Sequence, residues 1–569
     1  MRVESFVIVL AYVFLAPLGL VLARNMHLIF QSSKILRNTF LFCACATLLA
    51  EKSIAELTTA SPDLAKPGSP ENPIFYIQEY RIKGATKISN LEVEESVYPY
   101  LGPARTTEDV EKARQSLEKA YHDKGFQTVS VLIPQQNPRQ GIIILEVVEG
   151  TVGRLRVNGA NWYLPSKIKA ASPSMAEGSV PNMNDVQRDI LALNRLSDRR
   201  VTPELKPGSI PGTFDIDLNV EDKIPLHGSV ELNNRYSPNT SELRLNAGIS
   251  YANIFQLGHT IGFSGQIAPE NPDDALVYSG YYLARLSDKL SLLLSAVRQD
   301  SDISTLGGGS VIGMGEIYTL RALFDMPSAD NFYQSFGIGL DWKSFGEDLL
   351  VGDENISAPI EYYPLSANYG ASWLQGEDAF TELNSSLLFN LRGLGSDRLA
   401  YDRKRFGANG SFVVIKSDLS HTHDLEDESQ LFVKIQSQLS DKPLINTEQY
   451  SGGGLSTARG YYESTALGDN ALFLTGEYRS KSLFGKSTKQ QPLANELRFH
   501  TFVDAGALHI YDALPGQASH TYLLSAGVGS RLRYKKNFNS SLDIAFPLNS
   551  VSPAEQGDIR VTFRGWIEY

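Results

Sequence analysis

Tyr522–Tyr534 reads YLLSAGVGSRLRY, and its two faces are chemically opposite. Tyr522, Leu524, Ala526, Val528, Leu532 and Tyr534 lie on one side of an extended chain, while Ser525, Gly527, Gly529, Arg531 and Arg533 lie on the other. Charge on one face and bulk on its opposite is the lipid-out, lumen-in pattern of a membrane β-barrel strand. The final segment repeats it, with Ile559, Val561, Phe563, Ile567 and Tyr569 opposing Arg560, Thr562, Arg564 and Glu568. Leu243, Leu245, Ala247 and Ile249 oppose Glu242, Arg244 and Asn246, and Phe336, Ile338, Leu340 and Trp342 oppose Ser335, Gly337, Gly339 and Asp341. About sixteen such segments follow residue 223, at about 22 residues per strand and connection, and an even number suits a closed antiparallel barrel. A soluble β-sandwich also alternates, but its strands are shorter and need not end on an aromatic residue such as Tyr569.

Beyond residue 55 no uninterrupted apolar run approaches the length of a spanning helix, so insertion must be by strands. If the first strand rises from the periplasm, the long connections Ser301–Ile312, Ser344–Ile360, Arg392–Ala408, Asp441–Asp469 and His509–His520 all fall outside, and turns such as Met326–Asp330 fall inside. Lys481–Asn495 departs from this rule, being long and periplasmic; it marks an insertion or a misplaced strand.

Ahead of the barrel the pattern is α+β. Phe75–Lys83 reads as a strand and Leu91–Tyr100 as a helix. A second helix is capped by Thr106 or Thr107, carries Glu108 and Asp109 in its first turn, buries Val110, Ala113, Leu117 and Tyr121, and stops at Gly125. Strands at Gln127–Pro134 and Gly141–Val148 complete a β-α-α-β-β unit over 74–150. The order recurs over 151–222, with a strand at Thr151–Asn158, helices at Pro165–Ala171 and Asn184–Leu196, and strands at Val201–Lys206 and Thr213–Val220.

The chain has 569 residues and a net charge of -12, which argues against nucleic acid as a partner. Both cysteines, Cys43 and Cys45, lie in the apolar run Phe40–Ala50, which follows Lys34 and Arg37 as in a secretory signal peptide. A start at Met26 makes an ordinary signal, so residues 1–55 read as an over-extended start plus signal peptide; the alternative is that Phe6–Leu22 is a membrane helix. Removal of the signal leaves no thiol, as suits an oxidising compartment. Residues 56–73 read as a linker.

Between two alternating segments lies Glu448–Tyr478, EQYSGGGLSTARGYYESTALGDNALFLTGEY. Its Gly452–Gly454 run allows tight backbone folding, and Arg459, in a Gly/Ser/Thr-rich loop, requires an acidic partner. Gly453, Gly454, Ser456, Arg459, Gly460 and Tyr461, followed by Gly468 and Asp469, resemble the GG-x-x-S-V-R-G-Y…G-D loop of the two-partner secretion transporters, the haemolysin and haemagglutinin secretion proteins of the outer-membrane assembly superfamily. Phe502, Asp504 and Gly506 resemble that family's F-x-D-x-G, and Ser525–Leu532 its S-A-G-x-G-x-R-L. Ala458 stands where the family usually has Val. The resemblance runs from about Phe75 to the C-terminus.

It implies two tandem polypeptide-transport-associated (POTRA) domains in the periplasm, 74–150 and 151–222, and a 16-stranded outer-membrane barrel, 223–569. It further implies that loop 441–469, between strands eleven and twelve, folds back into the lumen, where Arg459 meets Asp504 on strand thirteen with Phe502 and Tyr461 packed around the pair. Gly460 and Gly506 would leave room for close approach. Glu51–Leu64, overlapping the linker, would be the remnant of a plug helix. The implied function is export: an unfolded partner adds a strand to an open POTRA sheet edge and passes through the barrel to the cell surface. Its partner would be a large exoprotein, an adhesin, haemolysin or contact-dependent toxin, with outer-membrane lipid around a barrel that functions as a monomer. The alternative is an assembly factor for other barrels, which usually carries more than two POTRA domains.

An enzyme reading lacks support. There is no G-x-S-x-G and no His-x-x-x-His, and Gly307–Gly309 lacks the lysine and helix start of a phosphate loop. His259 and His500 read as wall or lumen residues, and no catalytic residue, cofactor or metal site is assigned.

Overall fold

A computed structural model describes residues 74–137, 140–301, 314–327, 331–346, 348–351, 354–357, 359–376, 378–484, 495–535 and 537–569. The signal-peptide reading, both cysteines, the plug-helix remnant and the Gly307–Gly309 tip therefore lie outside the described residues.

The first unit has strands Phe75–Ile77 and Glu79–Lys83, helices α1 (Asn90–Val97) and α2 (Thr107–Asp123), and strands Val129–Leu132 and Ile142–Glu149. Its sheet runs in the order 79–83, 142–149, 129–132, the first pair parallel. Val110, Ala113, Leu117 and Tyr121 of α2 are all buried against it, the face expected from their spacing. Thr106 caps α2, donating its N–H and hydroxyl to Asp109 at 2.9 and 3.1 Å. Pro99 turns the end of α1 into a 3₁₀ turn, and the short strand Gly102–Arg105, which the sequence pattern does not reveal, pairs with Phe75–Ile77.

The second unit follows at once, with strand Thr151–Asn158, α3 (Pro165–Ala170), α4 (Met183–Leu193) and strands Arg199–Pro207 and Thr213–Asp222. Its sheet order, 151–158, 213–222, 199–207, again places a parallel pair beside an antiparallel one. Pro203 is tolerated because its strand is at the sheet edge.

Asp222 leads straight into a closed antiparallel barrel. Its strands are β1 (Leu226–Asn233), β2 (Arg244–Ile254), β3 (His259–Ile267), β4 (Ala275–Arg285), β5 (Leu290–Ser301), β6 (Met314–Asp325), β7 (Phe332–Gly346) and β8 (Ile360–Tyr362 with Leu365–Gln375). They continue with β9 (Ala379–Asn390), β10 (Phe412–Asp424), β11 (Gln430–Ser440), β12 (Asn470–Arg479), β13 (Glu496–His509), β14 (His520–Tyr534), β15 (Phe538–Pro547) and β16 (Arg560–Glu568). Pro364 interrupts β8, and both parts pair with β7. Closure is by β16 on β1, over the short run from Glu568↔Ser229 to Arg564↔Asn233.

Side chains alternate as the sequence requires. Tyr522, Val528 and Tyr534 are exposed on the outer face of β14, whereas Ser525 is buried inside. The strand ending at Arg479 and the one beginning at Glu496 are consecutive neighbours in the barrel, and their junction falls on the side of the soluble units, so no strand is misplaced there; residues 485–494 of the connection lie outside the described residues.

In the first unit the Glu149 carboxylate closes the turn after strand 79–83. It accepts from the N–H groups of Thr86 (2.6 Å) and Lys87 (2.9 Å), from the Thr86 hydroxyl, and from Tyr121 Oη (3.1 Å). Burial alone would raise its pKa, but these donors hold it below the usual carboxylate range. A depressed folded pKa stabilises above the unfolded value and loses that contribution as pH falls through the folded one. Glu149→Gln should therefore cost this unit about 1 kcal/mol at neutral pH, read as faster amide exchange at Thr86 and Lys87, with the difference from the parent shrinking below pH ~4.

Candidate functional site

Loop 441–469, joining β11 to β12, folds into the barrel. Its 3₁₀ turn Asn446–Glu448 and a hairpin of Tyr450–Gly452 with Ala466–Gly468 present Ala458–Tyr461 at the inner wall. Ala458 and Tyr461 pack with Ala471, Phe473, Leu508 and Leu523, inward-facing residues of β12, β13 and β14. A water-filled lumen would not hold Arg459 in one place. This apolar seat does.

Arg459 grips Asp504 of β13 with three hydrogen bonds. Its backbone N–H reaches Oδ2 at 3.1 Å, Nε reaches Oδ2 at 2.9 Å, and Nη2 reaches Oδ1 at 2.9 Å. Both side chains are buried, at 5% and 1% exposure. The guanidinium carbon sits 3.3 Å from the centre of the Phe502 ring, so one planar group is held edge-on by carboxylate and face-on by an aromatic.

Around this pair lies a charge cluster of which the motifs contain only Arg531 besides the pair itself. Arg459 Nη1 stands 4.0 Å from Glu477 and 3.8 Å from Asp543. Arg479 and Arg531 also reach Glu477, at 3.3 and 3.0 Å, and His500 Nε2 meets Asp543 at 2.6 Å. Three guanidinium groups thus face three carboxylates, a balance that lowers the cost of burial. Gly529 lies between His500 and Asp543 on β14, where a Cβ would come within 2.5 Å of both.

Gly460 rests its backbone on β14 and β15; a Cβ there would lie 2.8 Å from Ser525 Cβ and from Pro547 N. Gly506 leaves space for Phe473. Tyr461 serves the loop differently from a packing residue around the ion pair: its hydroxyl lies 2.8 Å from Asn549 O and 3.1 Å from Leu524 O, tying the loop to β14 and the β15–β16 connection.

Gly468 and Asp469 are not brought to Arg459. Asp469 lies beside Asn470, which pairs with His509, five positions along β13 from Asp504, or about 17 Å at the rise of a strand. There it is fully buried and accepts from both Nη atoms of Arg405, from the N–H groups of Leu444 (2.9 Å) and Tyr511 (2.8 Å), and from Gln449 Nε2 (3.1 Å). Arg405 follows α5 (Arg398–Lys404) in the β9–β10 loop and also donates to Leu444 O and Tyr511 O. One carboxylate therefore joins three outer loops.

Two more anchors cross the lumen. Glu448 receives Lys343 Nζ of β7 at 2.5 Å and Tyr362 Oη of β8 at 2.6 Å. Glu463 receives Arg235, just past β1, at 2.8 Å. The loop is thus held at β7 and β8, at β13 and at the end of β1, around the circumference rather than on one wall. Sequence reading finds only the middle anchor. Arg235, Lys343 and Arg405 look like ordinary barrel and loop cations, and only the closed fold places them.

Residues 75–150 match the ShlB-type POTRA domain, and residues 360–532 match the haemolysin secretion/activation protein family ShlB/FhaC/HecB. The chain belongs to this family of two-partner secretion transporters. It is 22% identical over 466 residues to the outer membrane transporter CdiB of Dickeya dadantii, covering 81% of this chain and 80% of that protein. It is 22% identical over 473 residues to the heme/hemopexin transporter protein HuxB of Haemophilus influenzae, covering 80% of each. The solved structure of CdiB from Escherichia coli shares the fold, with a TM-score of 0.60 at 20% identity over 90% of this chain and 93% of that one. The barrel accordingly lies in the outer membrane, with its soluble units in the periplasm.

Removing one partner of a buried pair costs about 3–5 kcal/mol. Arg459→Lys keeps the charge but loses the planar fork, so it should raise single-channel conductance in planar bilayers several-fold, as Asp504→Asn should. Glu463→Gln, which loosens one outer anchor, should have a smaller effect.

Proposed function

We propose that the chain exports a large exoprotein of the adhesin, haemolysin or contact-dependent toxin class, and that loop 441–469 is the element that keeps the lumen occupied between export events. The observation that carries this reading is the buried Arg459–Asp504 pair: it holds a folded loop across the lumen that an extended chain would pass through. The partner enters from the periplasm, adds a strand to the 129–132 or 199–207 sheet edge by backbone hydrogen bonds, and threads outward. Folding outside the cell makes the movement directional, so no nucleotide or ion gradient is required. One closed barrel supplies the whole route, and the monomer is the working unit. Units 74–150 and 151–222 act as two POTRA domains.

Ion pairs suit this task better than an apolar seal. A hydrophobic plug would be as stable in any register, whereas a bidentate Arg–carboxylate pair defines one resting geometry and adds little net stability. A loop held this way can leave its seat and return to it.

The test measures export of the exoprotein from the gene beside this one. Arg459→Ala should lower surface-exposed exoprotein at least tenfold while leaving a barrel that is inserted and heat-modifiable; normal export by this variant would discard the loop's role. Deletion of residues 74–150 should abolish export with the barrel still inserted, and unchanged export would discard docking at the first unit. A failure of other barrels to insert in these strains, with export intact, would favour the assembly reading.

A further inference from the structure

The second periplasmic unit meets the barrel at the turn between β2 and β3, and that junction presents apolar side chains to its surroundings. Phe255 and Gln256 both adopt positive φ, 56° and 57°, and the Leu257 N–H donates to Ile254 O at 3.2 Å. This two-residue hairpin conformation is ordinarily filled by Asn-Gly, and a bulky residue in it is strained. Yet Phe255 packs on little: it is 76% exposed, and Leu257 is 50% exposed.

Gln256 instead reaches across to the soluble unit. Its Nε2 donates to Trp162 O at 3.1 Å, and its Oε1 accepts from Leu164 N–H at 2.9 Å. The same short segment is held from behind by Asp222, which accepts from the N–H groups of Asn161 (2.9 Å), Trp162 (2.7 Å) and Tyr163 (3.2 Å). The N–H groups of residues 161 to 164 are all bonded. Trp162 and Leu164 nevertheless remain 44% and 49% exposed. Two built turns therefore lie side by side, each spending its polar groups on the junction and leaving large apolar side chains outside.

What covers them follows from where they stand. Ile249 and Phe263 pair across β2 and β3 and are exposed on the lipid face, at 54% and 59%. Tyr251 and Ile261 continue that face towards the turn, and Tyr282, opposite Ile261, bonds His259 Nδ1 at 2.6 Å. Phe255 is four residues beyond Tyr251, within about 13 Å along the strand. Aromatic residues at this height form the interfacial girdle of a barrel. Lys167 and Lys169 of α3, which begins one residue after Leu164, are both exposed and suit lipid phosphates.

We infer that Trp162, Leu164, Phe255 and Leu257 form a lipid-binding surface that seats the second periplasmic unit on the inner leaflet of the outer membrane, with Lys167 and Lys169 at phosphate height. The inference rests on the barrel spanning that membrane. Its consequence is that the last soluble unit is held against the bilayer beside the mouth of the barrel, so that the client strand it carries starts close to the pore.

The test uses the full chain, with Cys43 and Cys45 changed to Ser, reconstituted in phosphatidylethanolamine–phosphatidylglycerol vesicles and spin-labelled at single cysteines. Trp162→Cys and Phe255→Cys are compared with Ile249→Cys, on the lipid face, and Tyr98→Cys, 73% exposed in the first unit. Heat-modifiability establishes that each variant is folded. Labels at 162 and 255 should favour collision with oxygen over a water-soluble nickel chelate, as at 249, while 98 favours the chelate. Lys167→Glu with Lys169→Glu should raise chelate access at 162 several-fold. If 162 and 255 behave like 98 while 249 is in lipid, the surface is not lipid-bound. Shielding at 162 that appears only when exoprotein is added would make it a client surface and equally overturn the proposal. Should 249 itself be in water, the spanning barrel fails first.

Discussion

A guanidinium buried inside a barrel is tolerable only if its charge and its donors are matched, and the Arg459–Asp504 pair meets both demands. The carboxylate takes Nε, Nη2 and the backbone N–H of the same residue, so loop main chain and loop side chain are held by one group on the wall. The Phe502 ring covers the face of the guanidinium and keeps water from competing. From this contact the loop's course is constrained in both directions. Upstream it must return to Glu448, and downstream to Glu463 and Asp469.

Those flanking carboxylates divide the work. Glu448 and Glu463 fasten the loop to β7 and β8 and to the end of β1, while Asp469 gathers three outer loops around Arg405. Each is buried, so each depends on its partner. Polar anchors spread around the cylinder, together with the small apolar seat under Ala458 and Tyr461, give the lumen a specific filling. An apolar filling of the same volume would resist removal and would lack a defined resting register.

The periplasmic units obey the ordinary rules of small α+β domains, with one helix face packed on a three-stranded sheet and edges left open. The second of them touches the barrel at several points: Arg195 donates to Asp288 O at 2.6 Å, Asp198 meets His227 at 2.8 Å, and the turn at Phe255 and Gln256 meets the 162–164 segment. Gln256 trades hydrogen bonds with the 162–164 segment, and the strain at Phe255 is the local cost of that arrangement. Soluble domain and barrel are thereby coupled through one amide side chain on the backbone of the neighbouring turn, so the contact depends on Gln256 itself.

The linear chain already contains the strand alternation, because lipid and lumen impose opposite chemistries on successive residues; Tyr522–Tyr534 states the barrel by itself. Helix α2 is equally legible from Thr106 to Gly125, since its cap, its face and its stop are all local. Phe502, Asp504 and Arg459 could be paired through motif likeness. Lys343, Arg235, Arg405 and the His500–Asp543 contact could not, for their partners lie from 43 to 228 residues away and carry no local signature. Likewise Gly468–Asp469 reads as part of the Arg459 motif, but closure of the barrel sends it to the outer rim. Periodicity is a property of neighbours along the chain, whereas charge pairing across a lumen exists only once the strands have closed into a ring; the first was written in the residues and the second was decided by the fold.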